Sequence, residues 1–427
     1  MKTTFPTTIN KGQVNHMKIK VGVMFGGKSV EHEISIISAI QAIGHLNKEK
    51  YDVIPIYITK NNEFYIGEKV GDIKSYTDIG TLLKESQRVI MMNEDGKTKL
   101  IRYPMKKFGK NELDYIDVAF PVVHGTNVED GTLQGYLQMF NIPYVGCDVL
   151  SSAVGMDKYV MKTVLKDNGI PVLDCKCFTA KEYDEDVDAV IGKVEAEIGY
   201  PVIVKPVNLG SSIGISKAEN RDELYDSLDT AFRYASKVLI ETAVQNLKEI
   251  NCSVLGDYED AEASECEEPV SSDKILTFAE KYIGDGSSKG AKGTKGGVKG
   301  SGGSKGMATL KRKIPADITD EQRTLIRDYA VKAFKVLGCG GVSRIDFMMD
   351  TRTGNIWLNE INTIPGSLSF YLWEPLGVKY TELLDRMIAL ALKRDREQSS
   401  ITYTFDSNVL QGVNLGGGTK GAKGTKA

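Results

Sequence analysis

An uninterrupted apolar run at residues 19–25 is followed by Gly26-Gly27 and then by apolar residues at helical spacing. An apolar run without polar alternation is typical of a strand that is buried on both faces, as in a parallel sheet covered by helices. Two more strands are predicted at residues 53–58 and 118–123. This alternation of strand, glycine turn and helix predicts an α/β domain over residues 17–148, built on a small doubly wound parallel sheet.

The chain after residue 148 is predicted to form two α+β units. Residues 149–243 combine helices with strands around a loop rich in glycine and serine. Residues 244–395 contain a two-stranded hairpin and end in an amphipathic helix. Together with the N-terminal domain, these units agree with the domain number expected for a chain of this length.

Three segments have compositions that do not favour a packed core. Residues 1–16 are polar and precede Met17, an alternative translation start; residues 284–306 are mostly Gly, Lys and Ser; and the tail at 396–427 ends in a similar sequence. Such segments cannot bury enough apolar surface to offset the entropy lost on ordering. We predict disorder for residues 1–16 and for the Gly/Lys-rich end of the tail. Residues 284–306 are predicted to be either a flexible cationic lid or a solvated linker.

The overall composition argues against several classes of protein. The 427 residues carry a formal net charge of −3, which provides no general attraction to nucleic acid or membrane surfaces. No apolar run approaches the roughly 18 residues needed to cross a bilayer. The six cysteines are scattered, and the four histidines do not complete a zinc-binding spacing. We therefore expect a cytoplasmic protein that neither binds nucleic acid nor inserts into a membrane.

Polar residues recur in the predicted hairpin near the C-terminus. Arg344 and Asp346 are two apart on its first strand, and Glu360 and Asn362 are two apart on its second, so each pair shares a face. Carboxylate and amide oxygens suit Mg²⁺, which takes further ligands from water and phosphate. An arginine beside them can stabilise a developing oxyanion. Pro365-Gly366 follows as an anion-binding turn, which favours a metal–phosphate site over a simple ion-paired hairpin.

A second, distributed set of residues is predicted to bind the phosphates of a nucleotide. It consists of Lys158 at the start of a helix, Lys205 at the end of a buried strand, and a Gly-Ser loop at residues 208–214. Two ammonium groups and several backbone N–H groups would converge there. Two acids, Glu241 and Glu249, are expected to accept hydrogen bonds from adenine and ribose, although structural salt bridges explain either acid equally well.

A competing pattern at residues 22–29, Gly-Val-Met-Phe-Gly-Gly-Lys-Ser, has the spacing of a P-loop. It would make the protein an NTPase of a different class, with its nucleotide near the N-terminus. A P-loop begins where its strand ends, whereas Gly22 falls inside the apolar run. Only three residues are then left to turn, too few to surround a triphosphate, so we favour the distributed site.

Seven motifs follow one another between residues 17 and 393. They are Glu31-His-Glu-Ile-Ser, His124-Gly-Thr-Asn-Val-Glu-Asp-Gly, Met156-Asp-Lys, Lys205-Pro with Gly210-Ser-Ser, Glu280-Lys-Tyr, Arg344-Ile-Asp and Asn359-Glu-Ile-Asn-Thr-Ile-Pro-Gly. In this order the chain resembles the D-alanine–D-alanine ligases of the ATP-grasp superfamily. The resemblance implies an N-terminal substrate domain followed by a two-subdomain ATP-grasp fold.

The resemblance also implies the reaction and its substrates. ATP would phosphorylate the carboxylate of one D-alanine, and the amine of a second D-alanine would attack the acyl phosphate. The product would be D-alanyl-D-alanine, for peptidoglycan precursor synthesis. Two Mg²⁺ ions, for which Mn²⁺ is a possible substitute, are implied beside ATP, and relatives are commonly homodimers. Phosphoryl transfer of this kind depends on positioning and charge neutralisation.

By the same resemblance, each matching residue has an implied role. Those implied in metal binding are Asp346, Glu360 and Asn362. Those implied in ATP binding are Lys158, Lys205, Gly210, Ser212, Glu241, Glu249 and Lys281. The implied catalytic residues are Glu31, Ser211, Tyr282, Arg344 and, through its backbone N–H, Gly366. Glu31 would bind the ammonium of the first substrate, linked through Ser211 to Tyr282. A tyrosine at that lid position is typical of relatives that use an amine nucleophile.

The resemblance is weakest around the second substrate. The implied substrate-binding residues are His124, Ser367, Tyr371 and Leu372. Residues 367–373 depart from the usual family sequence after Pro-Gly, and their aromatic side chains would reshape the acceptor site. Val128 also stands where the family usually has glycine, which would alter the turn if that position needs a positive φ. D-Serine, D-lactate or another amino acid could therefore replace D-alanine as the acceptor.

Overall fold

The computed structural model describes residues 17–94, 96–210, 212–270 and 312–404. Within them, the chain forms three sheets, each packed against helices. Predictions that fall outside the described residues are those for residues 1–16, Ser211, Lys281, Tyr282, the segment 284–306 and the end of the tail.

The N-terminal unit is built on a seven-stranded sheet. Its strands are β1 (Ile19–Gly26), β2 (Tyr51–Ile58), β3 (Phe64–Ile66), β4 (Gln87–Glu94), β5 (Lys97–Arg102), β6 (Glu112–Ile116) and β7 (Val118–Pro121). Their spatial order is β6-β5-β4-β3-β2-β1-β7. The helices are α1 (His32–His45), α2 (Ile79–Glu85) and α3 (Thr132–Met139), with short 3-10 helices at Glu68–Gly71 and Ile73–Thr77. The predicted strand–glycine–helix start is thus confirmed.

This sheet is only partly the parallel sheet that the sequence predicts. Strand β1 pairs in parallel with β2 and β7, whereas β3 to β6 continue from β2 as antiparallel neighbours. The segment between β3 and β4 contains α2 and both short 3-10 helices, but it returns the chain to an antiparallel neighbour instead of crossing over the sheet to a parallel one. The parallel part still contains β1 and β7, whose carboxyl ends lead to the candidate site.

Gly22 lies in the middle of β1 and does not open a phosphate-binding loop. It is paired with Ile54 on one side and with Ala119 on the other. A Cβ atom at this position would lie 2.8 Å from Ile116 Cδ1 and 2.9 Å from Ile56 Cδ1. The glycine therefore permits close packing of the core, and the P-loop spacing at residues 22–29 is coincidental.

The central unit is a four-stranded antiparallel sheet with helices around it. Its helices are α4 (Val149–Met156), α5 (Lys158–Asp167), α6 (Ala180–Glu185), α7 (Val187–Glu197) and α8 (Arg221–Phe232). Its strands are β8 (Cys175–Thr179), β9 (Val202–Pro206), β10 (Ser216–Ala218) and β11 (Lys237–Thr242), in the order β10-β9-β11-β8. Strand β10 begins only at Ser216, because Ser212 and Gly214 before it have φ values of 58° and 73° and form turns.

The C-terminal unit contains the predicted hairpin. Its strands are β12 (Leu247–Gly256), β13 (Ala261–Pro269), β14 (Arg312–Lys313), β15 (Gly341–Asp350) and β16 (Ile356–Asn362). They are ordered β14-β13-β12-β15-β16. The helices are α9 (Asp320–Val336) and α10 (Tyr380–Ser399), and short 3-10 helices span Gly366–Leu372 and Glu374–Leu376.

The last helix joins the C-terminal unit to the N-terminal one. Leu383 and Met387 of α10 are buried in the same apolar cluster as Val23 and Phe25 of β1. Burying side chains of this size typically contributes about 2 kcal/mol each, so this contact fixes the first sheet against the third. The hairpin is thereby held facing the loops that follow β1 and β7. In the described part of the chain, no helix has both the length and the apolar composition required to span a membrane.

Candidate active site

The hairpin brings together all four polar residues that its spacing predicts. Arg344 lies opposite Asn362, and Asp346 lies opposite Glu360. The Arg344 guanidinium donates to both oxygens of Asp346, with Nε–Oδ1 and Nη2–Oδ2 distances of 2.7 Å. Asn362 Nδ2 donates to Asp346 Oδ2 at 3.0 Å. We call these four residues the carboxylate hairpin.

The carboxylate hairpin stabilises the charged form of Arg344. Burial opposes the charge of Arg344, but Asp346 more than offsets this and raises the pKa of the guanidinium further above its ordinary value, with a smaller contribution from Glu267. Within the described residues, no three His, Cys, Asp or Glu side chains form a metal-binding group. The hairpin instead combines two carboxylates with one amide, a set that suits a hard cation sharing its ligands with phosphate.

Two lysines predicted to bind phosphate lie beside the hairpin. Lys158 Nζ donates to the Leu209 carbonyl at 2.9 Å and lies 3.5 Å from Glu360 Oε2. Lys205 Nζ donates to Asn359 Oδ1 at 3.0 Å. Asn359 is the extra residue of a β-bulge, because Asp346 pairs with Glu360 while Phe347 pairs with Leu358. The bulge turns Asn359 towards Lys205 and so connects the central and C-terminal sheets.

Glu241 lies in a buried ion-pair network that the sequence does not reveal. Its two oxygens contact Lys205 Nζ and, at 2.8 Å, Lys162 Nζ, and Lys162 is only 2% exposed. Burial raises the pKa of this carboxyl, but the two lysines more than reverse that effect and lower it to about 2. Lys162 is a residue that sequence reasoning missed. Its only signal is its position four residues after Lys158, on the same helical face.

Glu31 lies where the N-terminal unit meets the Gly-Ser loop. A Cβ atom at Gly210 would lie 3.3 Å from Glu31 Oε2, and one at Gly125 would lie 2.9 Å from the same oxygen. Gly125 also has a φ of 84°, which disfavours a side chain there. Both glycines therefore allow the backbone to approach this buried carboxylate, as expected if Glu31 and the loop share a site.

The turn at Pro365-Gly366 is held on both sides by the N-terminal unit. His124 donates from Nδ1 to the Ile364 carbonyl at 2.8 Å and accepts at Nε2 from the Ser38 hydroxyl at 2.9 Å. Ser38 Oγ in turn accepts from the backbone N–H of Ser367 at 3.1 Å. Burial lowers the pKa of His124, in keeping with this neutral tautomer. Ser38, which the sequence does not single out, thus links His124 to the residue after Gly366.

Glu129 also holds this turn. Its carboxylate accepts from the Gly125 N–H at 2.6 Å and from the Ile364 N–H at 3.2 Å. Burial and the nearby Glu31 raise the pKa of Glu129 to about 8, although both N–H groups oppose the rise. Among the described residues of this motif, Asn127 and the flanking glycines adopt positive φ, and Val128 does not. Val128 is therefore compatible with the turn.

Three consecutive residues after Gly366 adopt the left-handed conformation. Ser367, Leu368 and Ser369 have φ values of 51°, 52° and 51°. Each such residue costs roughly 1–2 kcal/mol when it is not glycine, and strain of this kind is common at functional sites. The hydroxyls of Ser367 and Ser369 are buried and make no hydrogen bond in the described structure. Leu372 is fully buried, so its side chain packs in the core.

Tyr371 belongs to a polar cluster near β13 and β14, towards the opposite edge of the C-terminal sheet from the carboxylate hairpin. Its hydroxyl donates to Glu267 Oε1 at 3.3 Å, and the Arg312 guanidinium lies 3.8 Å from its ring centroid. Arg312 Nη1 donates to Glu267 Oε2 at 2.9 Å, and Asn251 Nδ2 donates to Glu267 Oε1 at 3.0 Å. We call these four residues the Tyr371 cluster; of them, only Tyr371 is predicted from sequence.

The two groups belong to one row across the C-terminal sheet. Glu267 of β13 is paired with Asn251 of β12, Asn251 with Asp346 of β15, and Asp346 with Glu360 of β16. Directly paired residues on neighbouring strands place their side chains on the same face. Strand spacing puts Glu267 about 10 Å from Asp346 along this row. A single face of the sheet therefore carries both the predicted metal ligands and the Tyr371 cluster.

Comparison with known proteins agrees with this geometry. Two family models match the chain, "D-ala D-ala ligase N-terminus" over residues 20–147 and "D-ala D-ala ligase C-terminus" over residues 164–293 and 304–389. A D-alanine–D-alanine ligase of Acetivibrio thermocellus is 42% identical over 388 residues, which cover 88% of this chain and 96% of the relative.

Two solved structures are similar over most of their length. The D-alanine–D-alanine ligase of Coxiella burnetii superposes with a TM-score of 0.72 at 28% identity, covering 90% of this chain and 96% of the other. The VanG D-Ala:D-Ser ligase of Enterococcus faecalis gives a TM-score of 0.70 at 31% identity, covering 88% and 100%. The order of the motifs, the three sheets and these matches lead to one conclusion: the chain belongs to the D-alanine–D-alanine ligase family of ATP-dependent ligases, which have the ATP-grasp fold.

Proposed function

We propose that this protein joins two D-alanine molecules into D-alanyl-D-alanine, through an acyl phosphate made with ATP, to supply peptidoglycan precursors. The observation that carries the proposal is the in-register carboxylate hairpin beside Lys158 and Lys205. Cations that neutralise phosphate and oxygens that suit a divalent metal meet at one sheet edge. Such an arrangement lowers the barrier to phosphoryl transfer by positioning and charge neutralisation.

The carboxylate hairpin fits Mg²⁺ by its chemistry. Asp346 and Glu360 face each other across two strands, and the Asn362 amide contacts Asp346. We assign two Mg²⁺ ions to Asp346, Glu360 and Asn362, with Mn²⁺ as a possible substitute. When bound, the ions would supply positive charge to the β- and γ-phosphate oxygens. Arg344 is fixed by Asp346 and would stabilise the oxyanion that forms during amide synthesis.

The residues near Glu31 would hold the first D-alanine. Glu31 would bind its ammonium group, while the Gly366 N–H would donate to the oxyanion. His124 donates to the Ile364 carbonyl, while Glu129 and Ser38 accept from the Ile364 and Ser367 N–H groups, which fixes the backbone on both sides of Gly366. A fixed N–H donor needs little reorganisation during the reaction, which is the source of its catalytic effect.

ATP would lie between the central and C-terminal sheets. Lys158 and Lys205 would bind the α- and β-phosphates beside Gly210 and Ser212, and Glu249 would accept from the ribose. Glu241 keeps its proposed role at the adenine, although both of its oxygens already contact lysines. Lys281, Ser211 and Tyr282 keep their proposed roles on the basis of motif order alone.

D-Serine is the second candidate acceptor. The similarity to the VanG enzyme, which is named as a D-Ala:D-Ser ligase, favours D-serine over D-lactate or a different amino acid. The replaced residues 367–373 are the part of the sequence that would distinguish these acceptors. D-Lactate is less favoured, because Tyr282 matches relatives that use an amine nucleophile.

Product analysis tests the proposal. Purified protein would be incubated with ATP, Mg²⁺ and D-alanine, alone or mixed with D-serine or D-lactate, while phosphate release and product mass are measured. We expect phosphate release that requires an amino acid, and D-alanyl-D-alanine as the main product. Turnover only with pairs that lack D-alanine, or ATP hydrolysis without any amino acid, would contradict the proposal.

We further propose a cytoplasmic homodimer. All six cysteines are unpaired in the structure, as is usual for proteins of a reducing compartment. The dimer rests on analogy with the family. Light scattering of the purified protein at several concentrations would test it, and a monomer at all concentrations would disprove it.

A further inference from the structure

The connection between β5 and β6 carries large apolar side chains that are exposed to solvent. Residues 103–110 read Tyr-Pro-Met-Lys-Lys-Phe-Gly-Lys, and all of them are exposed. Phe108 is 82% exposed and Met105 is 57% exposed. Single exposed apolar residues are common, but two in one loop, interleaved with lysines, form a surface with both apolar and cationic character. We call residues 103–110 the Phe108 loop.

The charge of the Phe108 loop is entirely positive. It contains three lysines and no acid, and in the described part of the chain none of the three forms an ion pair. These are Lys106, Lys107 and Lys110. The acids that follow the loop are engaged elsewhere, since Glu112 lies 3.4 Å from Lys99 and Asp114 pairs with Lys20. A local charge of three cations therefore faces solvent, although the whole chain is slightly acidic.

The base of the Phe108 loop is closed by hydrogen bonds. The Lys106 N–H donates to Asn111 Oδ1 at 2.8 Å, and Asn111 Nδ2 donates to the Lys106 carbonyl at 3.1 Å. The Arg102 N–H donates to the Asn111 carbonyl at 2.8 Å. At the tip, Lys107 Nζ lies 5.7 Å from the centroid of the Phe108 ring. The apolar and cationic groups are thus held together before any partner binds, which lowers the entropy cost of docking.

The Phe108 loop lies at the end of the N-terminal sheet opposite the candidate active site. It leads into β6, and each strand from β3 to β6 runs antiparallel to the one before it, so β6 runs in the direction of β1. The pair between Lys20 and Asp114 places the starts of β1 and β6 side by side. The active site lies beyond the other end of β1, about 25 Å away along its eight residues. A partner on the loop would leave the active site open.

The chemistry of the Phe108 loop fits an anionic lipid surface. Ammonium groups attract phosphate, which both lipid headgroups and nucleic acids offer. Single-stranded nucleic acid is usually bound in a charged groove where bases stack, whereas every residue of this loop is exposed. A bilayer interface accepts Phe and Met side chains without hydrogen-bond partners, while lysines keep their charged ends among the headgroups. The combination of apolar tip and lysines therefore favours lipid.

We propose that the Phe108 loop docks this protein on membrane surfaces rich in anionic lipid. Binding would be weak and reversible, because one short apolar tip is combined with one electrostatic contribution. The protein would lie on the surface without inserting a helix, and its active site would face away from the bilayer. This proposal goes beyond the proposed function and does not depend on it.

Vesicle sedimentation tests the proposal with the purified full chain. Vesicles would contain either equal parts of phosphatidylglycerol and phosphatidylcholine or phosphatidylcholine alone. We expect binding to the anionic vesicles that is lost at high salt, because salt screens the attraction between lysines and headgroups. Absence of binding to the anionic vesicles, or equal binding to both kinds, would overturn the proposal.

Variants of the loop separate its two contributions. Combining Lys106→Gln, Lys107→Gln and Lys110→Gln should lower the partition coefficient by about a hundredfold, since each lysine near an anionic surface contributes about fivefold. Phe108→Ala should lower it by about fivefold, because the apolar tip is lost. Tyr258→Ala is the control for the aromatic change, at a residue that is 61% exposed between β12 and β13.

A charge-matched control removes three exposed lysines of the central unit. It combines Lys181→Gln, Lys193→Gln and Lys217→Gln, and it should retain most of the binding. An equal loss in this control would overturn the role of the Phe108 loop. So would displacement of the protein from vesicles by single-stranded RNA at equal phosphate concentration, or a loop variant that converts a dimer into a monomer.

Failure of the proposed function would be visible separately. Vesicle binding is measured without ATP or amino acid, whereas ligase activity is measured in solution without lipid. The loop variants should keep the ligase activity of the wild type, which also shows that they are folded. A loop variant that loses activity in solution would contradict the assignment of this loop to docking alone.

Discussion

The two ends of the polar row across the C-terminal sheet are built differently. The carboxylate hairpin draws its residues from two adjacent strands, and its central ion pair joins Arg344 to Asp346, two positions away. The Tyr371 cluster joins residues that are far apart, such as Tyr371 and Glu267, separated by 104 positions. One end is therefore specified by local sequence, whereas the other depends on how three separate segments pack.

This difference predicts how each end responds to mutation. The hairpin is held by the backbone pairing of two adjacent strands. A side-chain substitution there should therefore lower catalytic activity and leave the fold intact. The Tyr371 cluster is also part of the packing between β13, β14 and the segment after Gly366. Substitutions near it should change acceptor use and stability together.

The largest effect on activity is expected at the carboxylate hairpin and the lysines beside it. Glu360→Gln and Lys205→Ala should each reduce turnover by about a thousandfold, because each removes a charge that faces phosphate in the transition state. Steady-state phosphate release with D-alanine would measure this. Lys28→Ala is the control: it removes the lysine of the P-loop-like segment and should retain most activity. The reverse result would support the P-loop interpretation. It would also show that the carboxylate hairpin is not the site of phosphoryl transfer.

The next largest effect is expected on the stability of the central unit, where Lys162 pairs with Glu241. Lys162→Met leaves the buried Glu241 with one lysine instead of two and should lower the free energy of unfolding by about 3 kcal/mol. Lys166→Met, on the same helix, removes an exposed pair with Asp174 and should cost far less, because solvent screens exposed ion pairs. Urea denaturation would compare them. Equal losses would show that the Lys162–Glu241 pair does not stabilise the central unit.

The same network predicts a pH dependence. Glu241 has a pKa of about 2 in the folded protein, below its ordinary value of 4.5, so the unfolded chain binds the proton more readily. Its contribution to stability is therefore fully present above pH 4.5 and is lost as the pH falls towards 2. Glu241→Gln should flatten this part of the stability profile. A profile as steep as that of the wild type would show that other carboxyls cause the acid loss.

The sequence predicts the hairpin end far better than the Tyr371 cluster. Asp346 and Glu360 are identified by alternation within two short strands, and pairing of those strands places them together. Asn251 and Glu267 join the same row only through the register of β12 and β13, which no local pattern reveals. Lys162 and Ser38 escape prediction for the same reason: their partners lie in other elements of the fold. Strands β3 to β6 escape it because their connections return the chain to an adjacent antiparallel position instead of crossing over the sheet, even where the connection contains a helix, as α2 does between β3 and β4.

A smaller effect is expected where the N-terminal unit holds the turn at Gly366. Ser38→Ala removes the hydroxyl between His124 and the Ser367 N–H, and kcat should fall about tenfold because the Gly366 donor is less well placed. The KM for ATP should not change. Ser35→Ala is a matched control on the same helix, since the Ser35 hydroxyl bonds to Gly26 and Val122 within the N-terminal unit. A similar loss of kcat in both variants would point to general destabilisation.

The smallest effect tests whether the backbone strain after Gly366 contributes to the Tyr371 cluster. Ser369→Gly relieves a left-handed φ of 51° and should raise the free energy of unfolding by up to about 1 kcal/mol. Ser227→Gly, at a buried position inside α8, should instead lower it by roughly the same amount. Thermal denaturation would measure both. A glycine at position 369 allows residues 367–371 to leave the conformation that places Tyr371 against Glu267. If Ser369→Gly is more stable than the wild type but uses D-alanine less selectively, the strained turn contributes to the acceptor site. If selectivity is unchanged while stability rises, the Tyr371 cluster is held by its own hydrogen bonds, and the two ends of the row differ even more than their sequences indicate.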